Sequence, residues 1–118
     1  MFKWEKGRLN TGYKKMKLFE SKTFKFDAYI LFYPEGSRVP PHTDKVKGYI
    51  HNRLNIILKK PKKGGSFYCY HMNPGLSSKR IVRFISDNVH GVLKIEKGYR
   101  LVLSFGWLRK SKWMILLE

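Results

Sequence analysis

Side-chain alternation is what most restricts this chain. From 24 to 33 the even positions are all apolar (Phe24, Phe26, Ala28, Ile30, Phe32), while the odd ones carry Lys25, Asp27, Tyr29 and Tyr33. Successive side chains of an extended chain point to opposite faces. The segment therefore predicts a strand with the Phe24, Phe26 and Phe32 stripe in a core and the other face toward a polar cavity. Further strands are predicted over 53–59, 66–71, 81–86, 89–95, 99–107 and 113–117, and no stretch carries apolar residues at helical spacing. Residues 13–19 read as an accessory strand, and 38–44 as a short extended segment in which Pro40 and Pro41 mark a strand start or sheet edge. Turn chemistry separates these runs at Pro34-Glu35-Gly36-Ser37, Gly64-Gly65, Asn73-Pro74-Gly75, Asp87-Asn88 and Glu96-Lys97-Gly98. About seven or eight short strands in one domain predict a barrel or sandwich.

Composition narrows the chemistry. A chain of 118 residues, 42% of them hydrophobic, supports one core and is not disordered by composition. Cys69 is the sole cysteine, which excludes an internal disulfide and a multi-cysteine metal site and leaves histidine and carboxylate ligands. With no long apolar run and no signal-peptide pattern, the expectation is a soluble, cytoplasmic protein without a membrane partner. The 25 Lys and Arg against 8 Asp and Glu give a net charge of +17, in clusters at Lys14-Lys15-Met16-Lys17, Lys59-Lys60 with Lys62-Lys63, and Arg109-Lys110. Such clusters suit a polyanion, because they displace its counterions, and they equally suit a solvated surface.

His42-Thr43-Asp44 puts an imidazole and a carboxylate on one face of an extended chain, within reach of one metal ion. With 4 His and 8 acids in 118 positions, chance supplies ~0.3 such pairs, so the pair alone decides little. Farther on, a hairpin centred on Lys97 would set His90 opposite Ser104, with Arg100 on their face. Arg100 would then lie roughly 13 Å along its strand from the level of His90. A small dicarboxylate ligating a metal beside His90 could span that gap and end on the guanidinium, whose planar fork matches a carboxylate. Each residue also has a structural account: His42 and Asp44 as turn partners, His90 as a packing histidine, Arg100 paired at the surface with Asp87 or Glu96. His51 and His71 read as partly exposed or supporting groups, and Trp107 and Trp113 as core or as an interface in a possible homodimer.

The ordered segments Tyr33-Pro34-Glu35-Gly36, Pro41-His42-Thr43-Asp44, Arg53-Leu54-Asn55-Ile56-Ile57-Leu58, Gly64-Gly65-Ser66-Phe67, His90-Gly91-Val92 and Gly98-Tyr99-Arg100 resemble the Fe(II)/2-oxoglutarate-dependent dioxygenases, particularly their prolyl 4-hydroxylase-like branch. The resemblance covers residues 24–107. It implies an all-β, cupin-like jelly roll, the double-stranded β-helix, over 24–118, with 1–23 as an accessory segment. It also implies His42, Asp44 and His90 as ligands of Fe(II) and as the catalytic centre, and Arg100 as the anchor of 2-oxoglutarate. Tyr33 and Asn55 become cofactor neighbours, and O2 and 2-oxoglutarate become co-substrates. Two imidazoles and a carboxylate leave coordination positions open, as non-heme Fe(II) oxygenases require. The implied reaction hydroxylates a C–H bond of a macromolecule, a protein residue by resemblance, while the charge favours an acidic or nucleic-acid-associated target. Prolyl 4-hydroxylases usually carry Lys where this chain has Arg100, so the substrate of that branch does not transfer. The alternatives are a nucleic-acid-modifying dioxygenase, a catalytically silent basic jelly roll that binds nucleic acid, and a small basic barrel of OB or SH3-like kind.

Overall fold

The computed structural model describes residues 2–7, 11–70 and 80–110, and these form strands and turns without a helix. In chain order the strands are β1 (Trp4–Lys6), β2 (Lys14–Ser21), β3 (Phe26–Tyr33), β4 (Val39–His42), β5 (Tyr49–Lys59), β6 (Lys63–Gly64), β7 (Phe67–Cys69), β8 (Ile81–Ile85), β9 (His90–Val92), β10 (Ile95–Lys97) and β11 (Arg100–Lys110). A six-stranded sheet in the order β1-β2-β3-β11-β5-β8 faces a smaller β4-β9-β7 sheet, and β6 and β10 make a two-stranded ribbon. The pairings are antiparallel. The expected strand at 113–117 lies outside the described residues, as does His71. Among the described residues no helix is long and apolar enough to cross a membrane.

Register turns the alternation of three central strands into rows on the inner face of the large sheet. Pairing of β11 with β3 and β5 aligns Asp27, Gly106 and Arg53 in one row, then Tyr29, Ser104 and Asn55, then Leu31, Val102 and Ile57. Arg100 beside Tyr33 closes the series. The inner face thus passes from charged through polar to apolar. At the apolar end Val39, Val92 and Ile95 join Ile57 and Val102 in the buried core. Each such side chain contributes about 1.5–3 kcal/mol when fully buried. One end of the barrel is closed by this core, and the other is left polar.

Three expectations are corrected. The odd face of β3 does line the cavity, but the even face is the outside of the large sheet: Phe24 is 80% exposed, and Phe26 and Phe32 are only partly covered. The hairpin centred on Lys97 does not form. His90 on β9 pairs with His42 and Cys69, while Ser104 pairs with Tyr29 and Asn55 in the opposite sheet. The predicted strand 89–95 breaks at Leu93-Lys94, where the chain leaves the small sheet to pair as β10 with β6. A jelly roll sends successive strands to opposite sheets, so the Glu96-Lys97-Gly98 turn is a crossover between layers.

Candidate metal centre

His42 ends β4 and His90 begins β9, so their direct pairing brings the rings to 4.3 Å between centroids. Asp44 leaves β4 by two residues, and its amide is fixed by the Ser86 carbonyl at 2.8 Å. Its Oδ2 lies 3.4 Å from His42 Nε2 and 3.5 Å from His90 Nε2. The ligating atoms of the three residues all fall within 4.8 Å of one another.

The other ring nitrogens decide what these imidazoles can do. His42 Nδ1 is 2.8 Å from the Pro40 carbonyl and His90 Nδ1 is 2.9 Å from the Asn88 carbonyl. A carbonyl only accepts, so each Nδ1 carries the proton and donates it, and each Nε2 presents a lone pair toward the Asp44 carboxylate. Two convergent nitrogen lone pairs and an anionic oxygen fit a divalent cation of nitrogen and oxygen preference. Phe84 packs against His90 at 5.0 Å and holds its ring in place.

The triad opens onto a cavity of about 320 Å³ whose wall includes Tyr29, Tyr33, Asn55, Phe84 and Ser104. Tyr33 and Asn55 therefore share one space with His42, Asp44 and His90. Arg100 lies just behind that wall, 4% exposed, its guanidinium 5.7 Å from the centre of the Tyr33 ring and donating to the Gly65 carbonyl at 3.3 Å. Its Nε and the Asn55 Oδ1 are buried without a hydrogen-bond partner among the described residues. Burial disfavours the Arg100 charge and lowers its pKa, with the Tyr33 hydroxyl acting in the opposite direction. Burial likewise pushes the Tyr33 phenol far above its ordinary value, so it remains an O–H donor. The surface pairing of Arg100 with Asp87 or Glu96 does not occur: Asp87 instead accepts the His51 amide at 2.9 Å.

A second network on this wall carries no sequence signature. Arg53 donates to Asp27 Oδ1 at 2.8 Å and Oδ2 at 3.4 Å, and to Ser104 Oγ at 2.9 Å. Its Nη1 also lies 3.2 Å from His51 Nε2. His51 Nδ1 then reaches the Asp44 carbonyl at 3.3 Å, which makes His51 a support for the triad's backbone, in keeping with its expected role. The only hints in the sequence were Asp27 on the cavity face of its strand and small residues at Ser104 and Gly106.

No protein-family model and no curated protein sequence matches the chain. Solved structures do match its shape. A cupin-2 domain protein from Rhodospirillum rubrum superposes with a TM-score of 0.59 at 11% identity, covering 95% of this chain and 72% of that one. This is a cupin-type jelly roll. KdgF from a Halomonas species matches with a TM-score of 0.53 at 15% identity over 94% of this chain and 90% of its own. A viral collagen prolyl hydroxylase from Paramecium Bursaria Chlorella virus-1, in complex with 2OG, matches with a TM-score of 0.52 at 17% identity over 74% of this chain and 60% of its own. At these identities the likeness concerns fold. The cupin fold removes the OB and SH3-like alternatives, because two facing sheets with a mouth between them are neither of those small barrels.

Proposed function

We propose that the protein is an Fe(II)- and 2-oxoglutarate-dependent dioxygenase that hydroxylates a C–H bond of a macromolecule. The observation that carries this reading is the convergence of His42 Nε2, His90 Nε2 and the Asp44 carboxylate at the polar end of a cavity. A buried arginine stands behind the opposite wall. His42, Asp44 and His90 would hold Fe(II), which, with bound 2-oxoglutarate, supplies the oxidising chemistry that turns O2 and the keto acid into succinate, CO2 and a hydroxylated product.

The chain's own residues divide the remaining work. The Pro40 and Asn88 carbonyls fix the tautomers that turn both Nε2 lone pairs toward the Asp44 carboxylate. Arg53 is committed to Asp27, so its charge is neutralised on the cavity wall. Among the described residues Arg100 instead contacts the Gly65 carbonyl and the Tyr33 ring and is paired with no carboxylate, so an incoming carboxylate would be its counter-charge. Tyr33, held as a phenol, donates to the same group. The Asn55 amide offers a further donor and acceptor from the Tyr29–Ser104–Asn55 row. The apolar row beneath limits water around the reacting groups.

The test is conversion of 2-oxoglutarate to succinate by the full chain with Fe(II) and O2, followed by mass spectrometry for +16 Da products in host protein and nucleic acid. Succinate formation that requires Fe(II) and disappears in Asp44→Ala is the expected result. No succinate above the metal-free background, with a folded protein and with both substrate pools present, would overturn the reading in favour of a catalytically silent jelly roll.

A further inference from the structure

We propose that the macromolecule this cavity receives is single-stranded nucleic acid, laid across the barrel end where the β2–β3 hairpin meets the 43–48 segment. The proposal names the substrate class of the dioxygenase reading and rests on it.

A second depression of about 310 Å³ adjoins the metal cavity. Lys22, Lys25 and Trp107 help form its walls, and it shares Asp27, Val46 and His51 with the first. The two spaces make one track leading from the outside of the hairpin toward the triad. Lys22 and Lys25 are exposed on the second space and Lys45 on the first, and Lys47 is exposed on the same 43–48 segment. Register brings Arg109 opposite Ile50 and Lys110 opposite Tyr49 at this same end of the sheet. The neighbouring carboxylates are turned to other work: Asp27 binds Arg53, Glu20 binds Lys17 at 3.3 Å, Asp87 accepts the His51 amide at 2.9 Å, and Asp44 belongs to the triad. The outward field at this end is therefore positive.

Charge alone would suit any polyanion, and the rings make the distinction. Phe24, at 80%, is the most exposed large apolar side chain among the described residues. It sits at the hairpin tip with its amide tied to Ser21 Oγ at 3.1 Å, next to Lys25 in a left-handed conformation at φ +54°. Few residues other than glycine adopt that conformation, and here it accompanies a tight tip that leaves the neighbouring phenyl ring in solvent. Lys25 lies over the Tyr49 ring at 5.3 Å, and Arg83 lies at 5.5 Å over the ring of Trp107, which helps wall the second depression. Rings interleaved with cations give bases a stacking surface and phosphates a counter-charge, whereas an acidic peptide uses the cations and leaves the rings idle. A duplex hides its bases from a recessed centre, so a strand already unpaired is the form that fits.

The experiment is fluorescence anisotropy of a labelled oligo(dT) or oligo(U) of about 12 nucleotides, a length within the footprint of single-strand binders. The full chain is used with and without Fe(II), titrated from low to moderate salt. Binding should be metal-independent and fall steeply with salt. Phe24→Ala should weaken it roughly 5- to 100-fold, the value of one stacked base, and Phe24→Trp should restore it. Lys22→Glu with Lys25→Glu should reduce the log–log salt slope by about 1.4, at ~0.7 per phosphate contact. Lys59→Glu with Lys60→Glu, at the far end of β5 about 34 Å away by strand rise, should leave affinity within about twofold. Equal or tighter binding of a duplex, equal competition by poly-glutamate, or an unchanged affinity in Phe24→Ala would overturn the proposal. Because binding is read without turnover, its failure leaves the succinate test standing, and the reverse also holds.

Discussion

Arg53 and Asp27 meet across the bare backbone of Gly106. All three residues share one row of the sheet, and the guanidinium reaches over β11 to place Nη2 2.8 Å from Asp27 Oδ1. A Cβ at Gly106 would collide with the guanidinium, lying 2.7 Å from Arg53 Cζ and 2.9 Å from Asp27 Oδ1. Gly106→Ala should therefore destabilise the fold by about 1–3 kcal/mol, as overpacking does. In an Arg53→Ala background the same substitution should cost far less, giving a coupling energy of about 0.5–3 kcal/mol. Urea unfolding of the four proteins measures it. An equal cost in both backgrounds would mean that the glycine serves something other than this ion pair.

The triad makes a prediction about ligation that can be separated from folding. His90→Ala and Asp44→Ala should each abolish Fe(II)-dependent succinate formation and leave the far-ultraviolet circular dichroism of the β-sheets in place. Metal affinity in the wild type should fall as pH drops through the imidazole range, since only a neutral ring can ligate. Iron titrations at pH 5 and 7.5 check this, and superimposable curves would speak against histidine ligation.

The strands and the His42–Asp44 pair are legible in the sequence because both rest on short-range parity. His42 and Asp44 are two residues apart, and Arg100 and Ser104 keep their common face because they lie on one strand. The placement of His90 was not legible. A turn such as Glu96-Lys97-Gly98 looks the same whether it closes a hairpin or carries the chain between layers, and only the pairing of β9 with β4 and β7 distinguishes the two. The Phe24, Phe26 and Phe32 stripe was misplaced for a related reason. Alternation says that two faces differ, not which of them is inside. Here the polar face, with Asp27 and Tyr29, is the one enclosed. The Arg53–Asp27 pair joins residues far apart in the chain, and no spacing in the sequence links the two.

Arg100 sets function against stability. It is buried and short of hydrogen bonds, and burial disfavours its charge. An apolar side chain of similar length should relieve that cost. Arg100→Met should raise the thermal midpoint of the ligand-free protein by several degrees, about 4 °C for each kcal/mol gained in a domain of this size. The same substitution should raise the 2-oxoglutarate requirement about 10- to 100-fold, the value of a charge-assisted hydrogen bond, while leaving iron binding nearly unchanged. Calorimetry and succinate assays give the two readouts. A lower midpoint together with an unchanged 2-oxoglutarate requirement would make Arg100 a structural residue.

His51 predicts how stability responds to acid. Burial, followed by the adjacent Arg53 charge, holds its pKa below the ordinary 6.5. The unfolded chain therefore takes up the His51 proton at a higher pH than the folded one. In the interval between the two pKa values the unfolded state binds more protons, so stability rises with pH there. His51 thus weakens the fold as pH falls below about 6.5 toward the folded value, and its contribution is constant above that range. His51→Gln removes this titration, so the difference in midpoint between wild type and variant should change between pH 7.5 and 5, with the wild type losing more. Thermal melts across that range measure it, and parallel pH profiles would show that His51 titrates alike in both states.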